Sequence, residues 1–87
     1  MKKIFNHMKD LLIWKGETGN YLVAHPWLDI ITQGKTQEEA YRNFIEAFAL
    51  IALHKADENG NIKMPLAPPD VIKDWKEKAE QFKRSLS

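Results

Sequence analysis

Cysteine is absent from the chain, which excludes disulfides, thiolate metal sites and thiol nucleophiles. Stability must therefore come from packing, and the lack of disulfides fits a reducing compartment. Long apolar runs are missing as well: no stretch approaches the roughly 18 residues that a membrane span needs. The opening "MKKIFNHMKDLL" has the lysines of a signal peptide, but Asn6, His7, Lys9 and Asp10 interrupt any apolar core it would need. A cytoplasmic protein with no membrane attachment is the expectation. Nor does either charge dominate, since 13 basic and 12 acidic residues leave a formal net charge of +1. No global field steers such a domain toward nucleic acid phosphates or an anionic surface.

What is present suits one small globular domain. The 87 residues are 44% hydrophobic and 29% charged, enough to build one core and too few for two. Residues 1–8 form a lead-in with little pattern. "LLIW", Leu11 to Trp14, has the length and composition of a strand, and "KGETGN" after it clusters the residues of a hairpin loop. "YLVAH" continues as a second strand, with Tyr21, Val23 and His25 on one face and Leu22 and Ala24 on the other. Pro26 cannot donate to a ladder and ends it. Leu28 to Gln33, "LDIITQ", reads as a third strand because isoleucine and threonine are concentrated there.

Gly34 closes that strand, Thr36 stands at a helix N-cap, and Glu39 three residues on completes a capping box, with Glu38 adding favourable charge. Ala40, Tyr41, Phe44, Ile45, Phe48, Ile51 and Ala52 recur at helical spacing. The end of this helix, "AFALIAL", is apolar nearly all round, so Leu50 and Leu53 are expected to meet a second surface, either the tail helix or another subunit. "DENGN", residues 57–61, supplies a stop, "IKMP" can add a short fourth strand, and "LAPPD" is a stiff connector. From Asp70 the residues Val71, Ile72, Trp75, Ala79, Phe82 and Leu86 share one face of an amphipathic helix expected to dock. The expected fold is α+β. A three-stranded antiparallel meander with a short fourth strand is packed by one long helix across 9–66, and a proline connector and C-terminal helix span 67–87.

Candidate chemistry is sparse. His7, His25 and His54 lie far apart and lack metal-ligand spacing, so hydrogen-bonded or surface histidines are expected and no metal or cofactor is implied. Ser85 and Ser87 sit at the chain's end rather than on a strained elbow. Asp10, Asp29 and Glu46 are the carboxylates that would have to converge to hold magnesium in a nuclease, with Asp29 the one inside a predicted strand. The tail's basic residues alternate with acidic ones, and its aromatics lie on the apolar face, which suits core packing better than base stacking. Trp27 sits at a corner between Pro26 and Leu28, where a large ring either marks a contact surface or folds over the sheet's edge.

The run "GNYLVAHPWLDIITQGKTQEEAYRNFIEAFAL", Gly19 to Leu50, resembles the antitoxin domain of the HicB family of type II toxin-antitoxin systems. That pattern has a glycine, an aromatic two positions on, a strand, a proline and a leucine, then a short strand. A second glycine, a Thr or Ser and a Glu-Glu-Ala helix start follow. Gly19, Tyr21, Pro26, Leu28, Gly34, Thr36, Glu38, Glu39 and Ala40 fit it, and the similarity extends over about residues 9–66. The resemblance implies a partial ribonuclease-H-like fold without nuclease chemistry, and a domain that binds and occludes a small RNA-cleaving toxin of HicA type, often as a homodimer or higher oligomer. Trp27 and Asp29, at the corner and the sheet edge, are the expected partner contacts.

Two departures qualify the match. The insertion that many members carry after the leucine is missing, so the corner before "IIT" should be tighter. After Pro69 there is room for one amphipathic helix and no helix-turn-helix or ribbon-helix-helix module, so DNA binding is not expected. Two other classes remain: a self-associating structural protein, favoured by "AFALIAL", and a minimal metal-dependent nuclease.

Overall fold

The computed structural model describes residues 11–55 and 66–86. The lead-in at 1–8, Asp10, the "DENGN" stop and the fourth strand read in "IKMP" lie outside the described residues. Three strands, β1 (Leu12–Lys15), β2 (Tyr21–Ala24) and β3 (Ile31–Gly34), precede two helices, α1 (Gln37–Lys55) and α2 (Pro69–Ser85). The strands form an antiparallel meander in the order β1-β2-β3.

The first hairpin closes through a tight turn in which the Gly19 amide donates to the Gly16 carbonyl at 3.1 Å and the Gly16 amide to the Asn20 carbonyl at 2.8 Å. Gly19 has φ of 90°, the left-handed conformation this type of loop requires before the second strand resumes. Register then decides the faces. Ile13 lies opposite Val23, and Val23 opposite Thr32; Trp14 lies opposite Leu22, and Leu12 opposite Ala24. Because side chains alternate along a strand, these sets point to opposite sides of the sheet.

Each side has its own helix. On one, Val23, Ile30, Ala40 and Phe44 are buried together, with Ile13, Tyr41, Phe48 and Ile51 around them, so α1 covers this face. On the other, Trp14, Ala24, Ala67 and Trp75 are buried, with Leu12, Leu22, Val71, Ile72, Ala79 and Phe82 packed against them, so α2 covers that one. The tail helix is thus docked, through the apolar stripe read from its sequence. At the turn end of the hairpin the Tyr21 ring lies edge-on to Phe82, their centroids 6.1 Å apart. Pro69 stands in the first turn of α2 with Asp70 beside it, and Lys83 and Arg84 stand in its last turn, charges that suit the helix dipole. The exposed Asp74–Lys78 pair, at 2.9 Å, adds a few tenths of a kcal/mol at most.

The third strand differs from the sequence reading. It begins at Ile31 rather than Leu28, and it includes Gly34, which pairs with Tyr21. Leu28, Asp29 and Ile30 belong to the turn before it, where the Ile30 amide donates to the Leu28 carbonyl and the His25 amide to the Ile30 carbonyl. After Pro26 the chain reverses direction over these residues, and strand propensity can express itself only once the reversal is complete.

Between β3 and α1 stand only Lys35 and Thr36. The Thr36 hydroxyl accepts the Glu39 amide at 3.1 Å, and the Ala40 amide donates to the Thr36 carbonyl at 3.0 Å. Two bonds tie the helix start to β3: Thr32 Oγ1 donates to the Ala40 carbonyl at 2.9 Å, and Asn43 Nδ2 to the Gln33 carbonyl at 2.8 Å. Gly34 makes this junction possible. A Cβ there would overlap the Ala40 amide nitrogen and lie 2.8 Å from the Glu39 carbonyl carbon and 2.9 Å from Glu39 Cβ.

At about 1.5 Å per residue, α1 is about 28 Å long, roughly twice the length of a four-residue strand. Its later turns therefore run beyond the sheet. Leu50 and Leu53 remain 57% and 78% exposed. The expectation that the tail helix covers them fails, because α2 lies on the opposite face of the sheet.

Replacing Gly34 with Ala should lower unfolding free energy by about 2–3 kcal/mol through overpacking against backbone. Gly19→Ala, at an open position, should lower it by only about 1 kcal/mol through backbone strain. Urea titrations of both variants measure the difference; an equal or smaller effect at Gly34 contradicts the close-approach account.

Candidate functional site

The residues singled out for partner contact lie in the reversal between β2 and β3, and a histidine organises it. His25 is 4% exposed. Its Nδ1 accepts hydrogen bonds from the Trp27 amide at 3.1 Å and the Leu28 amide at 3.2 Å. A ring nitrogen that accepts two N–H groups carries no proton, so the imidazole here is neutral, with its hydrogen on Nε2. The arrangement does for two backbone donors what an aspartate or asparagine does at an Asx turn, with a longer and stiffer side chain.

Aromatic contacts hold the ring in place. His25 stacks on Phe44 of α1, with centroids 6.3 Å apart and planes at 12°, and the Trp27 indole lies at 5.4 Å and 51° to it. The corner is also tied to the segment that leads into α2: the Ala67 amide donates to the Trp27 carbonyl at 2.9 Å, and Leu28 forms a β-bridge with Leu66. Both helix-bearing layers therefore anchor the same few residues. Pro26 is buried beneath, while Trp27 is 47% exposed and Asp29 is exposed.

Pro26 and Trp27 border an open groove whose far wall is α2, with Ile72, Lys73, Lys76 and Glu80 along it. An indole beside lysine and glutamate side chains can bury an apolar group while the charges orient a polar one. Sequence periodicity assigned Trp27 and α2 to separate parts of the chain, and only the docking of α2 brings them to one surface.

The carboxylates fare differently. Asp29 is in the turn and not in a strand, which corrects the sequence reading, since the direction change takes up Leu28 to Ile30. Glu46 is exposed on α1, beside Ile13, Tyr41, Arg42 and Ile45. Asp10 lies outside the described residues. Among the described residues no group of three His, Asp or Glu side chains comes together in a way that could hold a metal ion. His54 is exposed on α1, and His7 is also outside the described residues. Among those residues no helix is long and apolar enough to cross a membrane.

His25 is the residue whose role the sequence reading missed. "HPWL" does hold a signal, because a side chain with a hydrogen-bond acceptor just before proline, followed by two free amides, fits a side-chain-capped turn. From the sequence, a hydrogen-bonded or surface histidine on a strand face is expected at His25, which does not name the turn amides as its partners.

Substituting His25 with Phe preserves the aromatic stacking and removes the acceptor from two amides. Stability should fall by about 2 kcal/mol, and the Trp27 and Leu28 amides should exchange faster with solvent than in the parent. Hydrogen exchange read by NMR reports both, and unchanged protection at these two amides contradicts the assigned role.

Comparison of the chain with protein-family models, with curated proteins and with solved structures finds no match.

Proposed function

We propose that the chain is a non-catalytic protein-binding domain, a HicB-like antitoxin or a stand-alone relative of one, that occludes the cleft of a HicA-type RNA-cleaving toxin. The observation that carries the proposal is a hydrogen-bonded corner, held by His25 and Ala67, that keeps the Trp27 indole half exposed beside Asp29. Large rings fixed in this way are the usual anchors of protein interfaces, since little side-chain freedom is lost on binding. The sequence signature supports the same reading. Gly19 sits at the left-handed turn, Tyr21 opens β2, and Pro26 and Leu28 form the corner. Gly34, Thr36, Glu39 and Ala40 build the strand-to-helix junction. The finer architecture proposed is partial ribonuclease-H-like, its meander backed by α1, and the Leu28–Leu66 bridge fits a chain that returns beside the corner.

A second reading has its own observation. Leu50 and Leu53 on the overhanging end of α1, together with Ile31 on the outer strand, leave apolar surface in water, as a homodimer or higher oligomer would explain. Such self-association is compatible with the antitoxin role or could stand alone. The nuclease class, using Asp10, Asp29 and Glu46, is the least supported, and a magnesium titration followed by an RNA-cleavage assay tests it directly.

Trp27→Ala should weaken binding to a HicA-type toxin, where one is encoded beside this chain, by about 10- to 100-fold, and Trp27→Ala with Asp29→Ala by more. Calorimetry measures this, and an unchanged affinity for the double variant places the contact elsewhere. Leu50→Glu with Leu53→Glu should reduce the mass of any oligomer seen by light scattering. A parent chain that is strictly monomeric at high concentration removes the self-association reading.

A further inference from the structure

The two amides that His25 holds belong to the residues that set the direction of the Trp27 indole. Among the described residues, the side-chain acceptor these two amides share is a titratable nitrogen. A proton placed on Nδ1 turns that acceptor into a donor facing two N–H donors, and both hydrogen bonds are lost together. The ring is also closed in by Phe44 and the indole, so the turn cannot keep its shape around a charged imidazolium by rotating the ring outward.

We infer that His25 is a positioning residue for Trp27, and that its neutral form holds the contact surface ready while its protonation releases it. The inference rests on the binding role proposed above for its biological meaning, and on the turn geometry alone for its physics. Among the described residues, ionisable groups stand on the elements packed around the ring. Asp29 lies in the turn and is exposed. Tyr41 is half-buried on α1, where Arg42 and Glu46 are exposed, and the segment Leu66–Pro68 carries none. The turn is favoured at neutral pH and disfavoured as pH falls through the histidine range.

Trp14 and Trp75 are buried in the cluster on the other face of the sheet and serve as internal controls. The experiment is an NMR titration of the chain alone from about pH 8 to about pH 5, across the ordinary histidine range. It follows the His25 ring nitrogens, the Trp27 and Leu28 amides and the three indole N–H signals. The expected result is an unprotonated Nδ1 at neutral pH. The Trp27 and Leu28 signals should then shift with the same midpoint as the His25 ring, and the Trp14 and Trp75 indoles should stay in place. His25→Asn, whose side-chain oxygen can accept the same amides without titrating, should keep the neutral-pH Trp27 signals throughout; should that variant not fold, the parent titration decides by itself. Trp27 signals that ignore the His25 titration overturn the inference, and so do Trp14 and Trp75 signals that move at the same midpoint. No partner takes part in this titration, so failure of the antitoxin reading leaves its outcome intact. With a toxin that binds, the parent's affinity should fall on acidification at least tenfold more than that of His25→Asn.

Discussion

The missing Cβ of Gly34 governs how the sheet meets its first helix. Lys35 and Thr36 alone separate β3 from α1, so the helix's first turn must rest on the strand's last residue. With that contact allowed, the Thr36 hydroxyl reaches the Glu39 amide, Thr32 reaches the Ala40 carbonyl and Asn43 reaches the Gln33 carbonyl. The Thr36 hydroxyl pairs an amide that the helix start would otherwise leave unpaired, and the other two bonds join β3 to the first turns of α1. The axis of α1, and with it the placement of Phe44 over Val23 and beside His25, follows from that junction.

A three-stranded sheet this short is too small to be stable by its own pairing, and it survives by being covered on both sides. Strand alternation distributes the apolar residues accordingly: Ile13 and Val23 toward α1, Trp14, Leu22 and Ala24 toward α2. Two of the chain's three tryptophans go into the second layer, where Trp14 and Trp75 are buried against each other's neighbours. The third, Trp27, stays half exposed because the reversal between β2 and β3 lies at the sheet's end, where the indole faces α2 across an open groove. The same geometry explains the exposed Leu50 and Leu53, since α1 is longer than the sheet it covers.

The turn from His25 to Ile30 is where the fold meets the proposed contact surface. It is anchored to α1 through Phe44 and to the approach of α2 through Ala67, so three separated parts of the chain meet in it. A side-chain acceptor that satisfies two buried-side amides stabilises one conformation sharply, and it also makes that conformation answerable to the protonation of one nitrogen. A loop capped by aspartate or by backbone alone would present the same indole without that dependence.

Local sequence determined the elements themselves. The hairpin follows from "KGETGN", the start of α1 from the spacing of Gly34, Thr36 and Glu39, and the apolar face of α2 from its helical period. These are short-range signals, carried by φ preferences, capping and periodicity, and they can be read without knowing what lies opposite. The start of β3 is also a local matter, because His25 accepts from amides two and three residues on and draws Leu28, Asp29 and Ile30 into a turn that strand propensity ignores. Tertiary structure alone decided that α2 takes the face opposite α1, leaving Leu50 and Leu53 uncovered, and that Trp27 shares a groove with Lys76 and Glu80. Those outcomes depend on contacts between residues far apart in the chain, whose partners no local pattern names.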